Sequence, residues 1–390
     1  MLVVTLFATP TKSQIVDSQV GSSDAVATAI DYLRDLEYEH AIQQLQSWLE
    51  THPEDLRARN YLGMSILYQE MFHRGLLESR VYGSGGDAFK AGKVPLTPEF
   101  EQHLLSILTK AQNLAEMRAK VDPKDKESLY WAGVTHGTRA TFEFALRKEF
   151  MPALHESTAA LELHRRLLEL DPHYVDAYLI VGMNNYILGT LPWYIKVLAA
   201  LTGRHGDRDE GIKQVKRVTE EGNYAREDAR LMLAVLYQRE KMYRPALQVY
   251  EKMAHDHPRN YLLLFEIASL YVSLNEWSRV AEVYDSMLQR HRTGQAGYSH
   301  IPVARILYLS GEAHERSDRP EEALSRYSEA GALAGGGRDT YLAELRAGEI
   351  LLRLHRNEEA RSCYTRVAEG APGSEEGKAA RQALKQISSN

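Results

Sequence analysis

Small and aromatic side chains recur at a fixed spacing along this chain. Ala246 is followed by Tyr250 four positions later and by Pro258 after eight more. The small and aromatic pair returns, with successive small residues 34, 43 and 37 positions apart, at Val280 and Tyr284, Ala323 and Tyr327, and Ala360 and Tyr364. Residues at i, i+4 and i+7 share one face of a helix, and proline ends a helix. The pattern therefore predicts repeated pairs of antiparallel helices, with a period of about 34 residues and insertions.

Each predicted pair packs its two helices through small residues. In the unit that begins at Glu227, the first helix presents Leu233, Ala234 and Tyr237, and the small side chain of Ala234 lets the two backbones approach. The same register predicts further pairs at 305–336, at 341–372 and from Tyr32 to Pro53. Residues 375–387 follow as a polar last helix, which a finite stack of repeats requires.

Over most of residues 22–374 these units resemble the tetratricopeptide-repeat superfamily, most closely from Glu227 onward. The resemblance implies an all-α fold, a right-handed superhelical solenoid of antiparallel helix pairs with a concave groove, an irregular middle and a C-terminal capping helix. We expect four segments: a signal-like or disordered start, N-terminal repeats with a long loop, irregular repeats with an apolar insertion, and a regular array, over 1–20, 21–125, 126–224 and 225–390.

The period is interrupted at two places. Residues 81–98 are rich in glycine, which predicts a long loop between helices. Residues 178–222, with Leu191-Pro192, an apolar stretch and Gly206-Asp207-Arg208, resemble a subgroup typified by the animal tetratricopeptide-thirty-nine family and its yeast inclusion-body-clearance relative. That resemblance implies no catalytic residue. The apolar 191–201 helix either packs over a neighbouring repeat or contacts a ligand or membrane, and the sequence leaves both open.

Bulk properties narrow the classes of partner. The 390 residues carry a formal net charge of −6 without a long basic run, so the sequence predicts no nucleic-acid partner. No apolar run is long enough to span a bilayer, and peripheral contact with a membrane stays open. The apolar stretch 2–8 ahead of Pro10 indicates either part of a signal peptide or a frayed terminus, and we favour export over the cytoplasm.

The residue types that carry catalysis lack the spacing that catalysis needs. The stretch GSGGDAFKAGK is followed by Val94, where a phosphate-binding loop has Ser or Thr. Cys363 is the single cysteine, which indicates a small buried thiol and excludes an internal disulfide. Asp207 and Glu210 are spaced as a helix capping box, which we favour over an acid/base pair. With neither a metal-binding histidine motif nor a nucleophile motif, we predict no catalytic residue, cofactor or metal, and therefore no enzyme.

In the resembled family, positions two, five, nine and twelve of each first helix face the groove. Those positions and the apolar insertion supply the candidate partner-binding residues Asp228, Leu231, Gln238, Phe265, Arg305, Tyr308, Glu312 and Trp193. An apolar and mildly acidic groove suits a peptide. We expect a non-enzymatic scaffold that binds a protein or peptide partner on the concave face. The alternative is a carrier or membrane-associated module whose 191–201 helix covers a hydrophobic ligand.

Overall fold

The computed structural model describes residues 24–78, 95–192 and 206–389. Within them the chain forms seventeen α-helices: α1 (Ala25–Arg34), α2 (Tyr38–Thr51), α3 (Leu56–His73), α4 (Pro98–Val121), α5 (Lys126–Thr141), α6 (Phe150–Leu170), α7 (Tyr178–Thr190), α8 (Arg208–Glu221), α9 (Arg226–Arg239), α10 (Tyr243–Asp256), α11 (Leu262–Ser273), α12 (Trp277–Arg292), α13 (Val303–Arg316), α14 (Pro320–Gly331), α15 (Arg338–Arg353), α16 (Asn357–Gly370) and α17 (Glu375–Ser389). A π-helical segment, Phe142–Arg147, continues α5, and a short 3₁₀ turn, Val175–Ala177, precedes α7.

Successive helices pack against each other in sequence order, from α1 to α10 and again from α11 to α17. They form eight pairs, α1–α2 through α15–α16, and α17 packs on α16 as a last helix. The predicted all-α fold of stacked helix pairs, closed by a C-terminal helix, is therefore confirmed. Pro258 follows the end of α10 at Asp256, as the proline in the pattern predicts.

Short turns join the two helices of the regular pairs. In five of these turns one residue adopts the left-handed conformation, with φ between 57° and 64°: Leu36, Lys241, Asn275, Asp318 and His355. In the first of them the next amide, that of Glu37, donates to the carbonyl of Tyr32 at 2.8 Å, and the other four turns repeat this bond. This is the bond pattern of a Schellman motif, which satisfies carbonyl groups at the end of a helix.

The irregular pairs differ from the regular ones in the connection between their first and second helices. Residues 74–97 join α3 to α4, the π-helical segment and Lys148 join α5 to α6, and residues 191–207 join α7 to α8. Most of the predicted loop 81–98, most of the predicted 191–201 helix, and the predicted segment 1–20 lie outside the described residues.

The chain divides into two compact units, unit 1 at 1–260 and unit 2 at 261–390. In unit 1 a single hydrophobic cluster extends from Val26 on α1 to Leu236 on α9. Its first helices α3 and α5 are buried on nearly all sides, with polar residues such as Asn60 and Thr135 inside. The hydroxyl of Thr135 donates to Asn60 Oδ1 at 2.8 Å, which joins α3 to α5 within the core. Unit 2 contains the three regular pairs α11–α12, α13–α14 and α15–α16, together with α17.

Candidate functional site

A small residue at position eight of the first helix sets the register of each pair. A methyl group added to Gly133 would lie 2.3 Å from Cε1 of His164, on the paired helix. A methyl group on Gly311 would lie 2.6 Å from the ring of Tyr327 in the same way. Because the position-eight contact occurs in both units, the numbered positions of a first helix in unit 1 can be compared with the same positions in unit 2. We call the surface formed by positions two, five, nine and twelve of the first helices the A-face.

Position nine of the A-face differs sharply between the two units. In unit 1 it is apolar and at most 3% exposed in the first four pairs, as Ile30, Met64, Val134 and Met183. In unit 2 it is polar and exposed or half-buried, as Ser269, Glu312 and Glu349. The A-face is thus a core in most of unit 1 and a surface in unit 2.

The centre of the unit 2 A-face is built around two aromatic side chains. Phe265 is only 6% exposed, and the guanidinium carbon of Arg305 lies 4.6 Å from the centroid of its ring. This cation–π contact joins α13 to α11, two successive first helices. Tyr308 is half-buried, with its ring centroid 5.9 Å from that of Tyr327, and burial raises the pKa of its hydroxyl. Tyr308 therefore presents a neutral, partly exposed ring.

Charged side chains continue the A-face from α13 to α15. Glu315 accepts from Arg346 at 2.9 Å and from Arg353 at 2.6 Å. Glu312 forms a longer pair with Arg316, at 3.8 Å on its own helix. Half-buried apolar residues lie beside this charged row, at Leu342, Leu345 and Leu352 of α15. The face therefore combines paired charges with accessible apolar side chains.

The candidate residues of α9 are less accessible than those of unit 2. Asp228 is 0% exposed and lies inside unit 1. Leu231 is half-buried against the core cluster, and Gln238 is half-buried and accepts from the hydroxyl of Tyr250 at 3.4 Å. Trp193 lies outside the described residues. The structure thus brings together Phe265, Arg305, Tyr308 and Glu312, and separates Asp228 from them by burial.

Asp228 faces a second buried charge within unit 1. Arg34 on α1 is 5% exposed, and its guanidinium is the strongest favourable charge acting on the Asp228 carboxylate. In the described part of the chain, none of the three guanidinium nitrogens of Arg34 has a hydrogen-bond partner, and the Asp228 carboxylate has only its own backbone amide. Burial raises the pKa of Asp228 and lowers the pKa of Arg34, and each charge opposes the shift of the other. These two buried charges are coupled electrostatically but lack the direct hydrogen bonds that normally compensate desolvation.

A cluster that the sequence analysis missed lies in unit 2 around Asp285. Its carboxylate accepts from the Ser310 hydroxyl at 2.7 Å, from Arg326 Nε at 2.9 Å and from His314 Nε2 at 3.0 Å. Burial raises the pKa of Asp285, but these hydrogen bonds outweigh it and hold the pKa below its usual value. Because Ser310 donates to the carboxylate rather than to His314, the histidine does not activate the serine as in a catalytic triad. The cluster links α12, α13 and α14.

The other residues singled out from the sequence have structural positions. The Asp207 carboxylate accepts from the amide of Glu210 at 2.8 Å, which confirms the Asp207 half of the predicted capping box at the start of α8. Cys363 is 6% exposed, so the predicted buried thiol is confirmed, and burial raises the pKa of that thiol to about 12. Over residues 24–78, 95–192 and 206–389, no group of metal-binding side chains and no helix that could cross a membrane is found.

Comparison with known proteins finds one match to a family of repeats. A family model described as tetratricopeptide repeat matches residues 228–260, which contain most of α9 and all of α10. Residues 228–260 are therefore similar to a tetratricopeptide repeat. The match confirms the resemblance at the place where the spacing of Ala246, Tyr250 and Pro258 is clearest. No match to a curated protein is found. The finer resemblance of residues 178–222 to one subgroup stays a prediction.

Solved structures of similar fold include several tetratricopeptide-repeat proteins. Yeast Tom70 is 12% identical, with a TM-score of 0.34 over 93% of this chain and 88% of Tom70. PilW, a type IV pilus biogenesis factor, is 14% identical, with a TM-score of 0.38 over 62% of this chain and 92% of PilW. The human IFIT1 dimer with m7Gppp-AAAA is 14% identical, with a TM-score of 0.35 over 95% of this chain and 82% of IFIT1. At these levels the likenesses carry no argument about function.

Proposed function

We propose that this protein is a non-enzymatic scaffold that binds a protein or peptide partner on the A-face of unit 2. The observation that supports the proposal is the row of partly exposed apolar side chains on α13 and α15, at Tyr308, Leu342, Leu345 and Leu352. Apolar anchors spaced along a helical face, beside charged groups, are what a bound amphipathic or extended peptide requires.

The charges on this face favour specificity over strong attraction. Glu315 is already paired with Arg346 and Arg353, so a partner gains little by competing for it. Glu312, with Arg316 3.8 Å away, has the weaker pairing and is the carboxylate that a basic residue of a partner would engage. Tyr308 is the expected anchor, because a partly buried aromatic ring gives large contact area at low entropic cost.

The membrane-associated alternative and the exclusion of nucleic-acid partners both stay predictions. The carrier or membrane-associated alternative depends on the 191–201 segment, of which only Leu191 and Pro192 are described. The exclusion of nucleic acids rests on the formal net charge of −6 and on the absence of a long basic run in the sequence.

The proposal is tested by placing a photo-cross-linking amino acid at position 308 of the full-length protein. We expect capture of a partner from native lysate at this position, and no capture with the same amino acid at Leu333, which is 36% exposed elsewhere in unit 2. The captured partner is then titrated against purified protein. Tyr308→Ala should weaken its binding by about tenfold or more, the loss expected for an aromatic anchor.

Phe265→Ala is not the variant of choice. Because Phe265 is buried under Arg305, its truncation would disturb the packing of α11 as well as the surface. Glu312→Lys is the better second variant, since it changes the charge of the face without opening a cavity. Equal capture from positions 308 and 333, or unchanged affinity in both Tyr308→Ala and Glu312→Lys, would contradict the proposed site.

A further inference from the structure

The end of the tetratricopeptide repeat returns to the beginning of unit 1. Arg259 Nε lies 2.9 Å from Asp35 Oδ2, and Arg259 Nη1 lies 2.6 Å from Glu37 Oε1. The side-chain amide of Asn260 donates to the carbonyl of Arg34 at 2.7 Å. These partners are 222 to 226 residues apart in sequence. We call the contact between residues 34–37 and residues 257–260 the closing seam.

The closing seam is polar, whereas much of the buried face of α1 is apolar. Helix α1 buries Ile30 and Leu33 in the core cluster, and each side chain is 1% exposed. Across the seam, Arg259 forms two ion pairs and Asn260 donates a hydrogen bond. The side chains of Arg34 and Asp228 are also buried, and the Arg34 guanidinium has no hydrogen-bond partner in the described part of the chain.

The energetics of such a seam differ from those of the apolar pairs. Removing two charges from water costs several kcal/mol per ion, and their attraction offsets this only when hydrogen bonds complete the pairing. Arg259 is 34% exposed on its side chain, so solvent and salt screen its ion pairs. The seam also carries the entropy cost of closing a loop of more than 220 residues. The seam is therefore a join that depends on partly exposed charges.

We propose that unit 1 opens at the closing seam, separating residues 34–37 from residues 257–260 while every helix pair stays folded. The open form exposes Arg34 and Asp228, whose hydrogen-bonding groups then become available to solvent or to a bound partner. A ligand shifts such an equilibrium only by its difference in affinity for the two forms. A partner that holds unit 1 open therefore contacts both charges, and this inference does not depend on the proposed site in unit 2.

The test measures the distance across the seam in the full-length protein. Fluorescent donor and acceptor labels are attached to cysteines that replace Glu39 on α2 and Lys252 on α10, both exposed, in a Cys363→Ser background. Single-molecule energy transfer then resolves the closed and open forms. Arg259→Glu places like charges across the seam and should increase the ratio of open to closed molecules roughly tenfold, as loss of a partly buried ion pair does. High salt should move the wild-type protein in the same direction.

Two further variants separate opening from general damage. Lys216→Glu makes the same charge reversal at an exposed pair within α8, where Lys216 lies 3.9 Å from Glu220, and should leave the distances unchanged. Glu37→Arg added to Arg259→Glu restores an opposite pair and should return molecules to the closed form. An unchanged distance distribution in Arg259→Glu would overturn the proposal. So would longer distances that appear only together with a loss of helical circular dichroism, because the unit would then unfold rather than open.

Discussion

Units 1 and 2 are built from the same helix pair and use its A-face in opposite ways. In unit 1, position nine of the first helix is Met64 on α3 and Val134 on α5, and both are buried. In unit 2 the same position is Ser269 on α11 and Glu349 on α15, and both are exposed. The contact at position eight is shared by both units, at Gly133 with His164 and at Gly311 with Tyr327.

The difference shows that a repeat register alone does not create a binding groove. What decides the matter is whether the A-face is covered by the rest of its own unit. In unit 1 the core cluster runs from α1 to α9 and the closing seam joins both ends, so most of the A-face becomes interior. In unit 2 the A-face keeps exposed polar positions beside partly exposed apolar ones. Substitutions at corresponding positions should therefore have different effects on stability and accessibility in the two units.

The largest effect is expected from the buried charges of unit 1. Arg34→Met leaves the Asp228 carboxylate buried without its opposite charge, which should lower the free energy of unfolding of unit 1 by about 3–5 kcal/mol. Arg279 pairs with Glu282 on the surface of unit 2, and its side chain is 61% exposed. Arg279→Met should therefore lower the free energy of unfolding by at most about 1 kcal/mol. Urea unfolding followed by hydrogen-exchange mass spectrometry reads the two units separately.

A double variant sharpens this comparison. Arg34→Met with Asp228→Leu removes both buried charges, so its cost should be well below the sum of the two single costs. Additive losses in the double variant would show that Arg34 and Asp228 do not act as a pair.

The next effect concerns the contact that both units share. Gly133→Ala and Gly311→Ala each force a methyl group into a fully buried ring, and each should cost up to about 3 kcal/mol. Gly373→Ala is the matched control, because nothing lies within 4 Å of an added methyl group there. Thermal unfolding of the three variants tests the shared register. If Gly133→Ala were as stable as Gly373→Ala, the alignment of the irregular pairs with the regular ones would be wrong.

Much of this architecture is readable from the sequence, because the packing of helix pairs depends on local periodicity. The spacing of Ala246 and Tyr250 predicts the pair α9–α10 and the register that extends to α15–α16. The filled A-face of unit 1 is not readable, since an apolar residue such as Met64 suits a groove or a core equally well. The outcome depends on the closing seam, whose partners are more than 220 residues apart. The left-handed turn residues Leu36 and Lys241 also carry no glycine or asparagine signal.

The smallest effect is a difference in acid sensitivity. His164 of unit 1 occupies the place that Tyr327 holds in unit 2, and burial lowers its pKa to about 4. Since the unfolded chain takes up this proton near pH 6.5 and the folded chain does not, stability is lost as the pH falls from about 6.5 toward 4, by about 2 kcal/mol at pH 5.

The variant His164→Gln should remove that part of the pH dependence of unit 1. His155→Gln, at an exposed position on the same helix, should leave it in place. Urea unfolding at pH 7 and pH 5 gives the comparison, and an equal loss in wild type and His164→Gln would exclude His164 as its source.

Thiol labelling tests the contrast between the two A-faces most directly. Single cysteines replace Met64 and Val134 in unit 1, and Ser269 and Glu349 in unit 2, each in a Cys363→Ser background with the helical circular dichroism verified. Because reaction of a buried thiol requires local unfolding, we predict that the two unit 1 thiols react at least about a hundredfold more slowly than the two of unit 2. Similar labelling rates at all four positions would contradict the account.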